Sequence, residues 1–157
     1  MASRAGSRRR CLRAGPHRRS RRRPVTAPSR VLLDTSVVID LERIDLGPYA
    51  SSVPAVSSVT VAELAYGLVT DDPVRLAERI ERYRRVLDQF AVLPFGVDEA
   101  KMYGTGAGLV RRFGRDPRPR RMDLQIAATA AAHQIPLLTR NLKDFAGLDR
   151  LLTVIEV

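Results

Sequence analysis

Short apolar runs alternate with longer helical segments along this chain, and no other feature constrains its fold as strongly. Five runs predict buried strands, at Val31–Leu33, Ala55–Val59, Ala91–Phe95, Pro136–Leu138 and Leu152–Ile155. Helix-like segments are predicted between them, over residues 36–44, 60–69, 71–89, 97–113 and 123–133. Such alternation is typical of an α/β fold with a parallel sheet and right-handed crossovers. The length of 157 residues fits one domain.

Acidic residues follow the predicted strands near their carboxyl ends. Asp34 follows the first strand directly, Glu63 comes a few residues after the second, and Asp144 comes shortly after the fourth, while Asp123 begins a strongly apolar helix. Because the carboxyl ends of parallel strands share one edge, where ligands bind, we expect these acids to converge. Four like charges repel one another unless a cation neutralises them. The pattern therefore predicts a site for a hard cation, Mg²⁺ or Mn²⁺, with oxygen ligands.

Each acid also has a local explanation as a helix-capping residue. Asp34 could be an N-cap, and Asp123 could be a first-turn acid that interacts with the helix dipole. Thr60 and Glu63 have the spacing of a capping box, and residues 141–144 could begin a helix with an Asn cap. No single acid decides between the two interpretations. The joint pattern, with acids at several strand ends, favours a shared site.

The positive net charge of +10 is concentrated at the N-terminus. Residues 1–30 contain eleven Arg and no acid, which leaves 16 basic and 17 acidic residues in 31–157. A segment this polar cannot bury enough surface to offset its ordering entropy, so we predict a disordered Arg-rich extension over 1–30 and a folded domain over 31–157. The extension could bind polyphosphate, serve as a transit peptide, or be translated sequence upstream of the true start. These alternatives stay open.

Composition excludes several other classes of protein. Cys11 is the only cysteine, so no internal disulfide can form, which fits a reducing, cytoplasmic location. One Cys and two isolated His argue against zinc. No apolar run approaches the roughly 20 residues that a membrane span needs. No P-loop occurs, and the glycines of the 97–113 helix have the wrong spacing for a dinucleotide fingerprint.

One basic run stands out within the otherwise nearly neutral domain. Residues 111–121 contain six Arg against one acid, Asp116, and the run adjoins Asp123. It could hold phosphates of a nucleic acid beside the acidic site, or it could be a solvated loop. The sequence leaves both possibilities open. Aromatic residues are few, which argues against base stacking as the main means of recognition.

Four segments in order resemble the motifs of PIN domains: Val31–Ser36, Thr60–Gly67, Arg121–Ala130 and Leu138–Phe145. Their size and motifs are similar to those of VapC-type toxins of toxin–antitoxin pairs. The resemblance implies a three-layer α/β/α sandwich and an Mg²⁺- or Mn²⁺-dependent endoribonuclease. It also implies a homodimer that a cognate antitoxin protein inhibits. The Arg-rich extension and the glycines of the 97–113 helix are departures from the family pattern.

The resemblance also assigns roles to individual residues. It makes an acidic catalytic site of Asp34, Glu63, Asp123 and Asp144, with Asp34 and Asp123 as the direct metal ligands. Supporting positions would be Thr35, Ser36, Thr139 and Asn141. Two other hypotheses compete with a ribonuclease. One is a non-catalytic PIN-like module that binds RNA or protein, and the other is a phosphoryl-transfer receiver or phosphatase of similar topology.

Overall fold

A five-stranded parallel sheet forms the centre of the computed structural model, which describes residues 27–157. The prediction of disorder over 1–30 therefore falls mostly outside the described residues. The strands lie in the order β3-β2-β1-β4-β5, and every neighbouring pair is parallel. Their bounds are β1 Arg30–Leu33, β2 Val53–Ser57, β3 Ala91–Leu93, β4 Leu137–Thr139 and β5 Val154–Glu156.

Five α-helices cover the two faces of the sheet. They are α1 Thr35–Ile39, α2 Ser58–Tyr66, α3 Pro73–Gln89, α4 Val97–Arg112 and α5 Arg121–Ala132. Alternate strand residues point to opposite faces. Accordingly Leu32 and Leu137 pack with α4 and α5, whereas Val31, Leu33 and Leu138 pack with α1, α2 and α3. The predicted three-layer α/β/α sandwich is confirmed.

Several predicted element boundaries were wrong by a few residues. The first helix, expected over 36–44, ends at Ile39, and a separate 3₁₀ helix follows at Leu41–Arg43. Asp40 separates the two helices, because its backbone leaves the helical region and its carboxylate pairs with Arg140. The second strand, expected over 55–59, begins at Val53.

The second strand includes Pro54, a residue that its sequence would place outside a strand. A proline normally argues against a central strand because it has no N–H to donate. Val53 donates its N–H to Ser29 O at 2.9 Å on the β1 side, so the nitrogen of Pro54 faces the β3 side. The pairing with β3 starts only at Ala55, so the proline costs no hydrogen bond of the sheet.

Helix α4 is continuous through its glycines, which the sequence suggested would weaken it. Gly106 has a packing reason, because a Cβ there would lie 3.2 Å from Leu151 Cδ2 and 3.5 Å from Leu148 Cδ2. Nothing comparable surrounds Gly104 or Gly108, where a Cβ would meet no packing partner within 4 Å among residues 27–157. Gly106 therefore allows the segment after the 3₁₀ helix at Leu142–Phe145 to approach α4 closely.

The direction in which successive strands are added to the sheet reverses at β1, and this reversal determines where the site lies. From β1 the chain moves outward to β2 and β3, and it later returns on the other side of β1 to form β4 and β5. The backbone N–H of Asp34 donates to Leu138 O at 2.9 Å, which joins the ends of β1 and β4. Such a switch point opens a crevice at the carboxyl ends of the strands. None of the helices within residues 27–157 has the length and apolarity to cross a membrane.

Candidate active site

Asp34 lies at the switch point and is nearly buried, with 7% of its surface exposed. Its Oδ2 accepts hydrogen bonds from the hydroxyls of Ser36 at 2.6 Å and Thr139 at 2.9 Å. Asp34 also occupies the N-cap position of α1, but its side chain accepts no capping hydrogen bond. The carboxylate is held by Ser36 in the first turn of α1 and by Thr139 at the end of β4, so capping does not explain this acid.

The two hydroxyls beside Asp34 are themselves fixed by the backbone that follows β4. The N–H of Arg140 donates to Ser36 Oγ at 3.3 Å, and the N–H of Asn141 donates to Thr139 Oγ1 at 3.1 Å. Each hydroxyl therefore accepts from the backbone and donates to the carboxylate. This arrangement orients both hydroxyl hydrogens toward Asp34.

Glu63 does not belong to the capping box that its spacing with Thr60 suggested. Helix α2 begins two residues before Thr60, and Ser57 is its N-cap, accepting from Val59 N at 3.2 Å. Thr60 is fully buried inside the helix. The carboxylate of Glu63 instead accepts a hydrogen bond from the hydroxyl of Thr35. Burial raises the pKa of Glu63 above its usual value, opposed by the Thr35 hydrogen bond and assisted by the charge of Asp34.

Asp123 occupies the first turn of α5 and is affected by all three other acids. Burial, followed by the charges of Asp144, Asp34 and Glu63, raises the pKa of Asp123 to about 6, while Arg120 opposes the shift. A first-turn acid that answered only the helix dipole would have its pKa lowered. The raised pKa therefore reflects burial first, and the further contributions of Asp144, Asp34 and Glu63 show that the carboxylates lie close enough to interact, as the strand-end pattern predicted.

Asp144 completes this set from the 3₁₀ helix at Leu142–Phe145. The amide of Asn141 donates to Asp144 Oδ2, and Arg120 lies 3.0 Å from Asp144 Oδ1. Asn141 stands at the N-cap of this helix without a side-chain capping bond. The structure thus brings the four predicted acids together and places each predicted supporting side chain in hydrogen-bonding contact with one of them.

The donor set suits a hydrated divalent cation. Within residues 27–157, no three acidic, histidine or cysteine side chains form a ready-made metal shell. Mg²⁺ commonly needs fewer protein ligands than three, because it keeps several waters and binds through one or two carboxylates. Both side-chain hydrogen bonds to Asp34 end on Oδ2, which leaves Oδ1 for a metal ion or its water. Asp34 and Asp123 therefore fit the role of metal ligands that the resemblance implied.

The comparison with protein-family models gives a match to the PIN domain over residues 31–151. The chain belongs to the PIN-domain family. Two curated relatives support a place among its VapC members. Ribonuclease VapC of Rickettsia bellii is 32% identical over 77% of this chain and 92% of its own length. Ribonuclease VapC5 of Mycobacterium tuberculosis is 35% identical over 79% of this chain and 91% of its own length.

Solved structures agree with this placement of the PIN domain. The VapBC-5 member of the VapBC family of toxin–antitoxin systems from Mycobacterium tuberculosis matches with a TM-score of 0.68 and 32% identity, over 83% of this chain and 100% of that chain. FitAcB from Neisseria gonorrhoeae matches with a TM-score of 0.64 and 25% identity, over 80% and 96%. The predicted family is confirmed on sequence and on fold.

Sequence reasoning missed two features of this site. The hydroxyl of Thr60 lies 3.4 Å from that of Thr35, inside the site rather than at a helix start. Arg120 pairs with Asp144, whereas the sequence offered only an undivided basic run. Arg120 is the N-cap residue of α5, three residues before Asp123, and this closeness to a predicted site acid was the available signal.

Proposed function

We propose that this PIN domain is an Mg²⁺- or Mn²⁺-dependent endoribonuclease and the toxin of a toxin–antitoxin pair. The observation that carries the proposal is the convergence of four carboxylates at the switch point, where burial and then the charges of the other three acids raise the pKa of Asp123 to about 6. The similarity to proteins named Ribonuclease VapC supplies the substrate class.

A divalent cation, when bound, would activate water and neutralise charge that develops on the phosphate. Asp34 and Asp123 would hold the cation, since Asp34 directly follows β1 and Asp123 lies in the first turn of α5. Ser36 and Thr139 orient the Asp34 carboxylate by donating to Oδ2. Thr35 holds Glu63 in the same way. Glu63 and Asp144 are the other two members of the cluster, where a carboxylate can accept a proton from water.

A non-catalytic binding module is the alternative, and the same cluster argues against it. Grouped carboxylates repel the phosphates of RNA, so a protein that only bound RNA would gain nothing from them. Burial of these acids also costs stability unless something neutralises them. The hydrogen-bonded hydroxyls around Asp34 further indicate that its orientation matters, which a binding surface would not require.

The proposed partners follow from the relatives. VapBC-5 from Mycobacterium tuberculosis is a member of a family of toxin–antitoxin systems, and VapBC2 from Rickettsia felis and VapBC from Salmonella typhimurium were solved bound to DNA. We propose a cognate antitoxin protein for this chain as well, and a homodimer as its assembly. Size-exclusion chromatography with light scattering would test the dimer.

A direct cleavage assay tests the proposed activity. The purified protein is incubated with structured RNAs in Mg²⁺, in Mn²⁺ and in EDTA. We expect discrete RNA fragments with either metal and none in EDTA. A protein that binds the RNAs but leaves them intact in both metals would support the binding-module alternative.

A further inference from the structure

We propose that Arg120 is a positioning residue that places Asp144 beside Asp123, with Arg115 fastening the same turn. The inference rests on the proposed function, because it assigns Asp144 a place in the cleavage site. It also separates two of the six arginines in the basic run from the remainder. Arg115 and Arg120 contact other residues of the protein at the site and do not contact the substrate.

Two guanidinium groups converge on a single carbonyl oxygen. Arg115 donates to Lys143 O at 2.7 Å, and Arg120 donates to the same atom at 2.8 Å. Lys143 immediately precedes Asp144 in the 3₁₀ helix at Leu142–Phe145. Hydrogen bonds from charged donors are stronger than neutral ones, so this carbonyl is firmly fixed. The turn that carries Asp144 is therefore attached to the α4–α5 loop, residues 113–120.

Arg120 makes a second contact that reaches the acid itself. The nitrogen that donates to Lys143 O also lies 3.0 Å from Asp144 Oδ1. The two side chains are 29% and 33% exposed, so water screens this pair less than a fully exposed one. Asn141 holds the other carboxylate oxygen of Asp144. Both oxygens of Asp144 are thus restrained, which fixes where its charge lies relative to Asp123.

A close packing contact supports the same attachment independently. Gly147 follows the 3₁₀ helix with φ +93°, and a Cβ there would lie 2.9 Å from Phe113 Cβ. Phe113 begins the α4–α5 loop, and Arg115 lies over its ring at 5.9 Å. The loop therefore contacts the chain just before Asp144, at Lys143, and just after it, at Gly147. Only glycine gives the backbone conformation and the space that this contact needs.

Solvent exposure divides the arginines of residues 111–121 into those that can contact RNA and those that attach the Asp144 turn. Arg118 and Arg121 are exposed, whereas Arg115 and Arg120 are partly buried and engaged with the Asp144 turn. With Arg111 and Arg112, which are also exposed, Arg118 and Arg121 remain available to phosphates. The guanidinium of Arg120, which contacts a carbonyl and a carboxylate of the protein, instead fixes the position of Asp144. This division accounts for both interpretations of the basic run that the sequence left open.

A double-mutant cycle between Arg120→Ala and Asp144→Asn tests the proposal. If Arg120 acts through Asp144, each single change should lower the single-turnover rate at saturating RNA by about tenfold or more, and the double variant should fall less than about threefold further. The KM for RNA should stay within about twofold of wild type. Arg120→Lys keeps the charge without the planar fork and should recover only part of the rate.

Thermal melts in EDTA give a second readout that needs no activity. The fall in Tm of the double variant should be smaller than the sum of the two single falls, because one contact is removed only once. Arg118→Ala is the matched control, since it removes the same charge from an exposed position of the run. Its effects on rate and Tm should simply add to those of Asp144→Asn.

Three outcomes separate the possibilities. Rate effects that multiply, with a raised KM, would assign Arg120 to RNA phosphates and overturn the proposal. Additive falls in Tm would show that the attachment does not exist in solution, which also overturns it. A wild-type protein that cleaves no RNA would defeat the proposed function, whereas a non-additive melt in that same protein would still establish the Arg120–Asp144 contact.

Discussion

The hydroxyl of Thr139 donates a 2.9 Å hydrogen bond to the carboxylate of Asp34 across 105 positions of the sequence. Thr139 ends β4 and Asp34 follows β1, so the bond joins the two strands that flank the switch point. Thr139 is fully buried, and its oxygen also accepts from Asn141 N at 3.1 Å. One side chain thus links the sheet, the loop after β4 and the principal acid of the site.

Replacing Thr139 with Val should affect stability and activity together. The change keeps the shape but leaves Asp34 without one donor and Asn141 N without its acceptor, which should cost about 1–3 kcal/mol of unfolding free energy. Cleavage should fall because the Asp34 carboxylate can rotate. Thr139→Ser keeps the hydroxyl and should cleave more like wild type. Denaturant melts and cleavage rates measure both effects, and equal losses in the two variants would contradict this role.

Asp34→Asn and Asp123→Asn should separate the site from a capping role. Asn has nearly the shape of Asp, and at position 34 its amide oxygen can still accept the hydrogen bonds from Ser36 and Thr139, so both variants should fold with nearly normal melting temperatures. Each loses a charge that a cation needs, and the loss of several kcal/mol of transition-state stabilisation should slow cleavage by roughly a hundredfold or more. Circular dichroism checks the fold and an RNA assay checks the rate. Near wild-type cleavage in both variants would rule out the proposed site.

Metal ions should stabilise the protein against heat. Binding to the folded state alone stabilises by about 2.7 kcal/mol at a metal concentration 100-fold above Kd. For a chain of this size, each kcal/mol raises Tm by roughly 3 °C. Melts with millimolar Mg²⁺ or Mn²⁺ should therefore exceed those in EDTA by several degrees, and Asp123→Asn should lose most of the difference. The same Tm in all three conditions would count against a metal site.

The raised pKa of Asp123 predicts a defined pH dependence. Between its usual pKa of 3.8 and about 6, the folded protein holds a proton that the unfolded chain has released. Stability of the metal-free protein from this group is therefore present at low pH and is lost as pH rises through about 6. Melts in EDTA from pH 4.5 to 7 should show the fall, and it should be smaller in Asp123→Asn.

Metal affinity should change with pH in the opposite direction. A ligand must be deprotonated to bind metal, so apparent Mn²⁺ affinity should rise by about tenfold per pH unit below the pKa and level off above it. Glu63, whose pKa is also raised, should add to the same trend. Calorimetric titration with Mn²⁺ at several pH values measures the slope. An affinity that is constant from pH 5 to 7 would contradict the assignment of Asp123 as a ligand.

Removing the Arg-rich extension should leave the cleavage sites unchanged. A protein that begins at Ala27 retains Pro28 O, which accepts a 2.7 Å hydrogen bond from Ser52, and Ser29 O, which accepts from Val53. It should keep its fold. Fewer basic residues release fewer counterions, so RNA binding should depend less steeply on salt. Cleavage assays on both lengths at two salt concentrations would reveal any shift in the cut positions, which would contradict this expectation.

The sequence by itself determined the order of the elements and the four acids, and its resemblance to PIN domains supplied the four supporting side chains. The elements and the acids follow from local patterns: apolar runs of strand length, helical periodicity and acids near strand ends. The strands of a parallel sheet are brought together by hydrophobic burial, which the side-chain sequence encodes directly. Asp34 next to Val31–Leu33 could therefore be placed at the sheet edge without coordinates.

Only the tertiary structure decided which partner each polar side chain takes. Glu63 accepts from Thr35, 28 positions away, rather than capping its own helix, and Arg120 attaches to Lys143 O, 23 positions away. A local spacing such as that of Thr60 and Glu63 is compatible with a cap and with a long-range contact alike. The choice depends on which alternative leaves the fewest buried polar groups unpaired, and that depends on how all the elements pack together.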